Sequence, residues 1–235
     1  MAIALSTELI LKQLHGGLVV SCQAPPHSPL HEPRVIGAIA LASVNQGAVG
    51  VRIDTPAHIQ AVRQQVTVPI IGLWKRQIPG SSVYITPQFE QAVAVAEAGA
   101  DLIAIDGTQR PRPGGETLPD LIRRIHTQLG KPVMADVDTL ENAIAAAAAG
   151  ADVIGTTLYG YTADTQGQVP PGYALLEAVV QTLTQPIVCE GGIASPAMAH
   201  QALAFGASFV VVGTAITGVD AQVAAYCAAM TASAP

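Results

Sequence analysis

One pattern recurs three times along the chain: "EAGADLIAID" (97–106), "AAGADVIGTT" (148–157) and "AFGASFVVVG" (204–213) each run from an alanine-rich helix end, through glycine and a small polar residue, into an apolar run rich in β-branched residues. The glycine supplies the left-handed conformation that closes a helix. The run that follows is apolar on both faces, as a parallel strand sandwiched between helices requires. These junctions return about every 50 to 55 residues. Between them lie three strands opened by proline, "VPIIGLWK" (68–75), "KPVMADV" (131–137) and "QPIVCEGG" (185–192). Proline is tolerated at the first residue of a strand and poorly further in. Adding "GLVVSCQ" (17–23) and "GAVGVRI" (47–53) brings the count to eight short strands, each followed by a helical segment.

The helices announce themselves by spacing. Leu118, Leu121, Ile122, Ile125 and Leu129 form one apolar stripe, and Leu176, Val179, Val180 and Leu183 another. "TPQFEQA", from Thr86, and "SPAMAHQ", from Ser195, are expected to start helices with a hydroxyl cap and a proline in the first turn. A short helix precedes the first strand. Eight βα units in 235 residues predict an α/β protein, a TIM (β/α)8 barrel. The rival is a doubly wound open sheet, which more often has five to seven strands and a glycine-rich first turn. No linker or charge run divides residues 1–235, so a single domain is expected.

Composition narrows the function classes. The net charge is −6 and only 12% of residues are charged, which argues against a nucleic-acid partner, because phosphate-backbone binding needs clustered Lys and Arg. The opening "MAIALSTELILKQLHGG" has Glu8 and Lys12 inside its apolar stretch and no basic leader, and no apolar run reaches the roughly 20 residues of a membrane helix. A cytoplasmic protein without a membrane partner is expected. Cys22, Cys189 and Cys227 are widely spaced with no C-x-x-C pair, and read as reduced thiols.

In a barrel of this kind the C-terminal strand ends converge on the active site. Here those ends carry Gln23, Arg52, Lys75, Asp106, Asp136 with Asp138, Thr156 with Thr157, Glu190 and Thr214. Lys75 is expected to project into the mouth and Arg76 to turn outward. Desolvation and a neighbouring cation such as Arg52 favour a neutral amine, which acts as base or nucleophile. Gly191 and Gly192 after strand seven, and Gly213 and Thr214 after strand eight, stand where barrels bind phosphate through backbone N–H groups. A phosphorylated substrate is expected. The loop "DGTQRPRPGGE" (106–116) carries Arg110 and Arg112 and is read either as a lid or extra phosphate clamp, or as a solvated surface loop. None of the six histidines falls on an inner strand end, so neither histidine acid/base work nor a metal site is expected. Alternation turns Cys22 and Cys189 away from the mouth. The C-terminal "AQVAAYCAAM" (221–230) reads as the final barrel helix or as part of a homodimer surface.

With "SCQA", "VRI", "GLWKR", "PGSSVYITP", "DGTQRPRP", "MADV", "GADVIGTTLYGYT", "CEGGIASP" and "VVGTAIT" in this order, the chain from Leu18 to Thr217 resembles the bacterial N-acylglucosamine-6-phosphate 2-epimerases. The resemblance implies interconversion of N-acetylmannosamine 6-phosphate and N-acetylglucosamine 6-phosphate at C2, in the breakdown of sialic acid and other amino sugars, with no metal and no organic cofactor. It implies that Lys75 is the acid/base at C2, that Glu190 assists it, and that Gln23, Arg52 and Asp136 hold the sugar. Thr157 belongs to the same rim. Members of that family often carry arginine just after "AIT", where this chain has Gly218, and a smaller residue where it has Tyr159. Two other functions fit the rim: a Schiff-base lyase or aldolase using Lys75 as nucleophile, and a sugar-phosphate-binding barrel without catalysis.

Overall fold

Eight parallel strands close into a barrel in chain order in the computed structural model, which describes residues 6–231. They are β1 (Leu18–Cys22), β2 (Gly50–Asp54), β3 (Ile70–Leu73), β4 (Leu102–Asp106), β5 (Val133–Asp136), β6 (Val153–Gly155), β7 (Ile187–Glu190) and β8 (Phe209–Val212). The barrel shuts where Val19 of β1 pairs with Val211 of β8. Helix α1 (Thr7–Leu14) precedes the first strand. Then α2 (Pro33–Asn45), α3 (Pro56–Arg63), α4 (Phe89–Glu97), α5 (Leu118–Arg124), α6 (Leu140–Ala148), α7 (Tyr173–Thr182) and α8 (Pro196–Ala204) follow β1 to β7, and α9 (Thr214–Thr217) and α10 (Val219–Thr231) follow β8. The alternation of elements is that of a single-domain TIM barrel.

The period of two along each strand sorts the core into two layers. Val20, Cys22, Val51, Ile53, Ile103, Ile105 and Cys189 face the helices. Val19, Ile71, Leu73, Leu102, Ala104, Met134, Val153, Val188 and Phe209 fill the interior. Ile10 and Leu14 of α1 join this inner layer, Leu14 lying against Gly50 at the start of β2, so α1 stoppers the N-terminal end of the barrel. Chemistry is left to the opposite rim.

The repeated junction has a structural purpose beyond closing a helix. The small polar residue after the glycine accepts the first N–H of the preceding strand: Ile70 N–H donates to Asp101 Oδ2 at 2.9 Å, Val133 N–H to Asp152 Oδ2 at 2.8 Å, and Ile187 N–H to Ser208 Oγ at 3.2 Å. In each pair the polar residue's own N–H returns to the carbonyl of Ile70, Val133 or Ile187. Proline before each of these strands and Asp or Ser after the next helix are therefore two halves of one device that sets strand register.

Some boundaries differ from expectation. "SPAMAHQ" starts α8 with Ser195 as the cap and Pro196 in the first turn, but α4 is capped by Gln88, not Thr86. Thr86 is drawn elsewhere, as described below. The stripe from Leu118 is buried through Ile125, where α5 passes into a π turn at Ile125–Leu129 before Gly130 closes it at φ 62°. Strand β3 stops at Leu73, two residues short of Lys75, and β2 continues past Arg52 to Asp54. Helix α10 is not an ordinary barrel helix, since none of its residues is buried.

Candidate active site

The centre of the rim is a buried ionic cluster. Arg52, with 2% of its side chain exposed, donates through Nη2 to Asp136 Oδ2 at 2.6 Å and through Nη1 to Asp136 Oδ1 at 3.2 Å. The same Nη1 stands 3.0 Å from Glu190 Oε2. Thr157 closes the ring, its hydroxyl placed 2.7 Å from Asp136 Oδ1 and 3.2 Å from Glu190 Oε2. The four side chains come from β2, β5, the end of β6 and β7, and meet because each points inward at the same height.

Two carboxylates on one guanidinium cannot both be fully compensated. Burial works against the charge on Arg52, but Asp136 and Glu190 more than offset it and hold the guanidinium above its ordinary value. Burial pushes the Glu190 carboxyl up, from 4.5 to about 7, with Asp136 adding to the rise while Arg52, Lys75 and the Thr157 hydroxyl oppose it. Glu190 is thereby held protonated more readily than an ordinary carboxyl.

Lys75 lies at the edge of this cluster. Its Nζ donates to Gln23 Oε1 at 2.6 Å, and Gln23 Nε2 donates to Ser21 Oγ at 2.9 Å. The side chain is exposed, not desolvated, and the cation expected to act on it, Arg52, is bound by two carboxylates. The physical basis expected from sequence is therefore absent in the unliganded protein. Arg76 turns outward as expected, its guanidinium 5.1 Å from the Trp74 ring centroid.

Past β3 the chain leaves the barrel ladder and doubles back as an antiparallel ribbon, in which Arg76 N–H donates to the Tyr84 carbonyl at 2.9 Å and Thr86 N–H to the Trp74 carbonyl at 3.0 Å. The Tyr84 ring packs on the interior layer. Burial raises its phenol pKa, and Asp136 and Asp106 raise it further, so the hydroxyl stands within the field of the cluster.

Both arginines of the 106–116 loop are bonded within the protein. Arg110 Nη2 donates to Asp106 Oδ2 at 2.6 Å and its Nη1 to the Ser82 carbonyl at 3.2 Å, while the buried Arg112 donates to the Asp106 and Pro87 carbonyls. Both arginines brace the end of β4 against the ribbon. Asp138 is likewise structural: buried, it accepts from Asn142 Nδ2 at 2.7 Å and from the Thr162 hydroxyl at 2.6 Å, pinning the loop after β6. Thr156 faces away from Thr157 and bonds the Glu190 backbone.

On the remaining side of the mouth, Gly191 and Gly192 take φ of 99° and 68°. A side chain on Gly192 would collide with Pro170 at 2.5 Å, so that glycine is required by packing as well as by conformation. Gly213 precedes α9, whose opening N–H groups at Thr214 and Ala215 lie in its first turn. A side chain at Gly218 would meet the Thr214 backbone at 2.8 Å, so the turn between α9 and α10 is closed to the arginine that the resemblance implies. Tyr159 packs on Gly172 and donates to Gln168 Oε1 at 3.1 Å.

Sequence reasoning brought Gln23, Arg52, Lys75, Asp136, Thr157 and Glu190 to one rim, and the structure places them there. It passed over Ser21, Asp54, Tyr84 and Thr86. The period of two already put Ser21 with Gln23, and Asp54 with Arg52. Tyr84 and Thr86 had no such signal, because they lie on a ribbon outside the barrel.

A ring of polar side chains at the C-terminal mouth of a closed parallel barrel defines an enzyme of the TIM-barrel class. Residues 36–232 match the model of the NanE family, N-acetylmannosamine-6-phosphate epimerase. A relative from Synechococcus elongatus, carrying the name N-acetylmannosamine-6-phosphate 2-epimerase, is 61% identical over 94% of this chain and 97% of its own length. One of the same name from Listeria welshimeri is 44% identical over 88% of this chain and 89% of its own. The solved structure of the N-acetylmannosamine-6-phosphate 2-epimerase from Clostridium perfringens superposes with a TM-score of 0.91 at 35% identity, covering 98% of this chain and all of that one. The chain belongs to the N-acetylmannosamine-6-phosphate epimerase family.

Proposed function

We propose that this protein interconverts N-acetylmannosamine 6-phosphate and N-acetylglucosamine 6-phosphate by moving the proton on C2, without an organic cofactor. Supporting this is the meeting at one rim of Lys75, held by Gln23, with the ring of Arg52, Asp136, Thr157 and Glu190. The C2 proton is acidic only when C1 is an aldehyde, so the ring must open first. Glu190, partly protonated near pH 7, serves that step, and Lys75, once it has given up its own proton, takes the one on C2. The C2–H electron pair moves into a C1–C2 double bond and charge collects on O1, a charge assigned to the donors of Gln23 and Arg52. Asp136 and Thr157 hold Arg52 and Glu190 in register. Reprotonation on the opposite face of C2 completes inversion.

The 6-phosphate is assigned to the backbone N–H groups of Gly191, Gly192, Gly213 and Thr214. A phosphorylated amino sugar is a cytoplasmic metabolite, and among the described residues no helix is long and apolar enough to cross a membrane. The protein acts as a homodimer through α10, on which Val219, Val223, Tyr226 and Met230 are exposed.

Incubating N-acetylmannosamine 6-phosphate with the protein in deuterium oxide tests the reading. One deuterium at C2 of the product, dependent on Lys75, is expected. A borohydride-trapped substrate adduct on Lys75 would replace it with the lyase reading, and binding without exchange would leave only a sugar-phosphate-binding barrel.

A further inference from the structure

The three residues that carry Lys75 out of the barrel have each of their N–H groups anchored, one by the end of β2 and two by the returning arm of the ribbon. Trp74 N–H donates to Thr86 Oγ1 at 3.1 Å, Lys75 N–H to Asp54 Oδ1 at 2.9 Å, and Arg76 N–H to the Tyr84 carbonyl at 2.9 Å. The first two are side-chain acceptors, standing where β3 no longer has a strand to pair with. Asp54 can reach because its Cα is in register with Leu73, so the next inward-facing position along β3 is Lys75. Thr86 is itself pinned, its hydroxyl donating to the Ala104 carbonyl on β4 at 2.7 Å.

Two strained residues accompany these contacts. Thr86 has φ 43° and Thr55, directly after Asp54, has φ 74°; they are the two non-glycine residues with positive φ among the described residues. A β-branched residue in the left-handed region persists only where its surroundings over-determine it, and such outliers collect at functional sites. Thr86 is completely buried. An ordinary strand end needs neither outlier. Thr86 aims its hydroxyl at the Trp74 amide, while Thr55 turns the chain out of β2 directly after Asp54 and caps α3.

We infer that Asp54 and Thr86 are positioning residues that fix the backbone of Lys75, so that its amine meets C2 at a defined place although the side chain itself is exposed. This rests on the proposed role of Lys75 as the C2 base. Burial raises the Asp54 carboxyl pKa, while the Lys75 charge and N–H, then His58 and the Thr55 N–H, pull it back down.

The test is a set of four variants measured for kcat, KM and backbone amide hydrogen exchange. Thr86→Val keeps the shape but loses both hydroxyl bonds, and Asp54→Ala loses the acceptor. Each is expected to lower kcat about 10- to 100-fold with KM little changed, the signature of a misplaced reacting group. Exchange should quicken at Trp74 in Thr86→Val and at Lys75 in Asp54→Ala. Thr86→Ser and Asp54→Asn, which keep an acceptor oxygen, should recover most of kcat. Unchanged kcat in Thr86→Val, equal losses in Thr86→Val and Thr86→Ser, or unaltered exchange at both amides would overturn the inference. Wild-type and Lys75→Ala controls separate this failure from that of the epimerase reading: a wild type without C2 exchange defeats the reading, while amide exchange still reports on the anchors.

Discussion

Glu190 shows how far one residue's chemistry depends on its surroundings. Its carboxyl is raised from 4.5 to about 7 mainly by burial, so kcat/KM, which reports ionisations of the free enzyme, should show an inflection near pH 7 that Glu190→Gln lacks. The same shift has a stability consequence of fixed sign. A group whose folded pKa lies above its unfolded value contributes stability that is present below the unfolded pKa and lost as pH rises through the folded one. The melting temperature should therefore fall between about pH 4.5 and 7 on account of Glu190, and that part of the slope should vanish in Glu190→Gln. Arg52 is the complementary case. Arg52→Met would leave Asp136 and Glu190 facing each other without a cation, an expected cost of about 3–5 kcal/mol in urea denaturation. Lys75→Ala, at an exposed position, should keep native stability while abolishing C2 exchange. What was legible here was whatever strand ends and alternation decide: Gln23, Arg52, Lys75, Asp136, Thr157 and Glu190. Asp138 and the two loop arginines misled because a polar residue beside a strand end looks the same in sequence whether it faces substrate or ties down a loop. Only partners such as Thr162, 24 residues away, and the Asp106 carbonyl distinguish them.

Among the elements, the helix-to-strand junction was the most legible feature, because a glycine, a small polar residue and an apolar run are all dictated locally. Its pairing function was not, since Asp101 and Asp152 act on strands that begin 31 and 19 residues earlier in the chain. Asp152→Ala removes the acceptor for the Val133 N–H and also the partner of His126, 2.8 Å away. Leaving a buried amide unpaired is expected to cost about 1–3 kcal/mol. The loss should appear as a lower denaturation midpoint with an unchanged slope, together with faster exchange of the Val133 amide. The failure at Thr86 has the opposite origin. "TPQFEQA" carries a good local capping signal, but tertiary contacts claim Thr86 for Trp74 and Ala104, and the helix begins two residues later behind Gln88, whose side chain and that of Gln91 cap each other.

For the whole molecule, eight βα units favour a barrel over an open sheet, and the stopper formed by α1 leaves the C-terminal end as the mouth. That much follows from periodicity. The fate of the C-terminal helix does not, because α10 is apolar around most of its circumference and offers no single stripe from which a partner surface could be read. Its large apolar side chains do line up. Val219, Val223, Tyr226 and Met230 of α10 are 53%, 55%, 71% and 75% exposed, and with Ile216 of α9, 50% exposed, they follow steps of three and four residues. Such a 3–4 repeat is the seam by which one helix packs on another. A lone 13-residue helix is marginal in water, and an exposed apolar helix can be covered by a second copy of itself about a two-fold axis, the arrangement the homodimer proposal requires. Sedimentation equilibrium should therefore give a dimer. Val223→Glu with Tyr226→Glu places a charge on two successive turns of the seam and should yield a monomer that keeps the barrel's circular dichroism but loses helicity in proportion to α10. A wild-type monomer, or a double variant that still dimerises, would leave this helix without the role assigned to it.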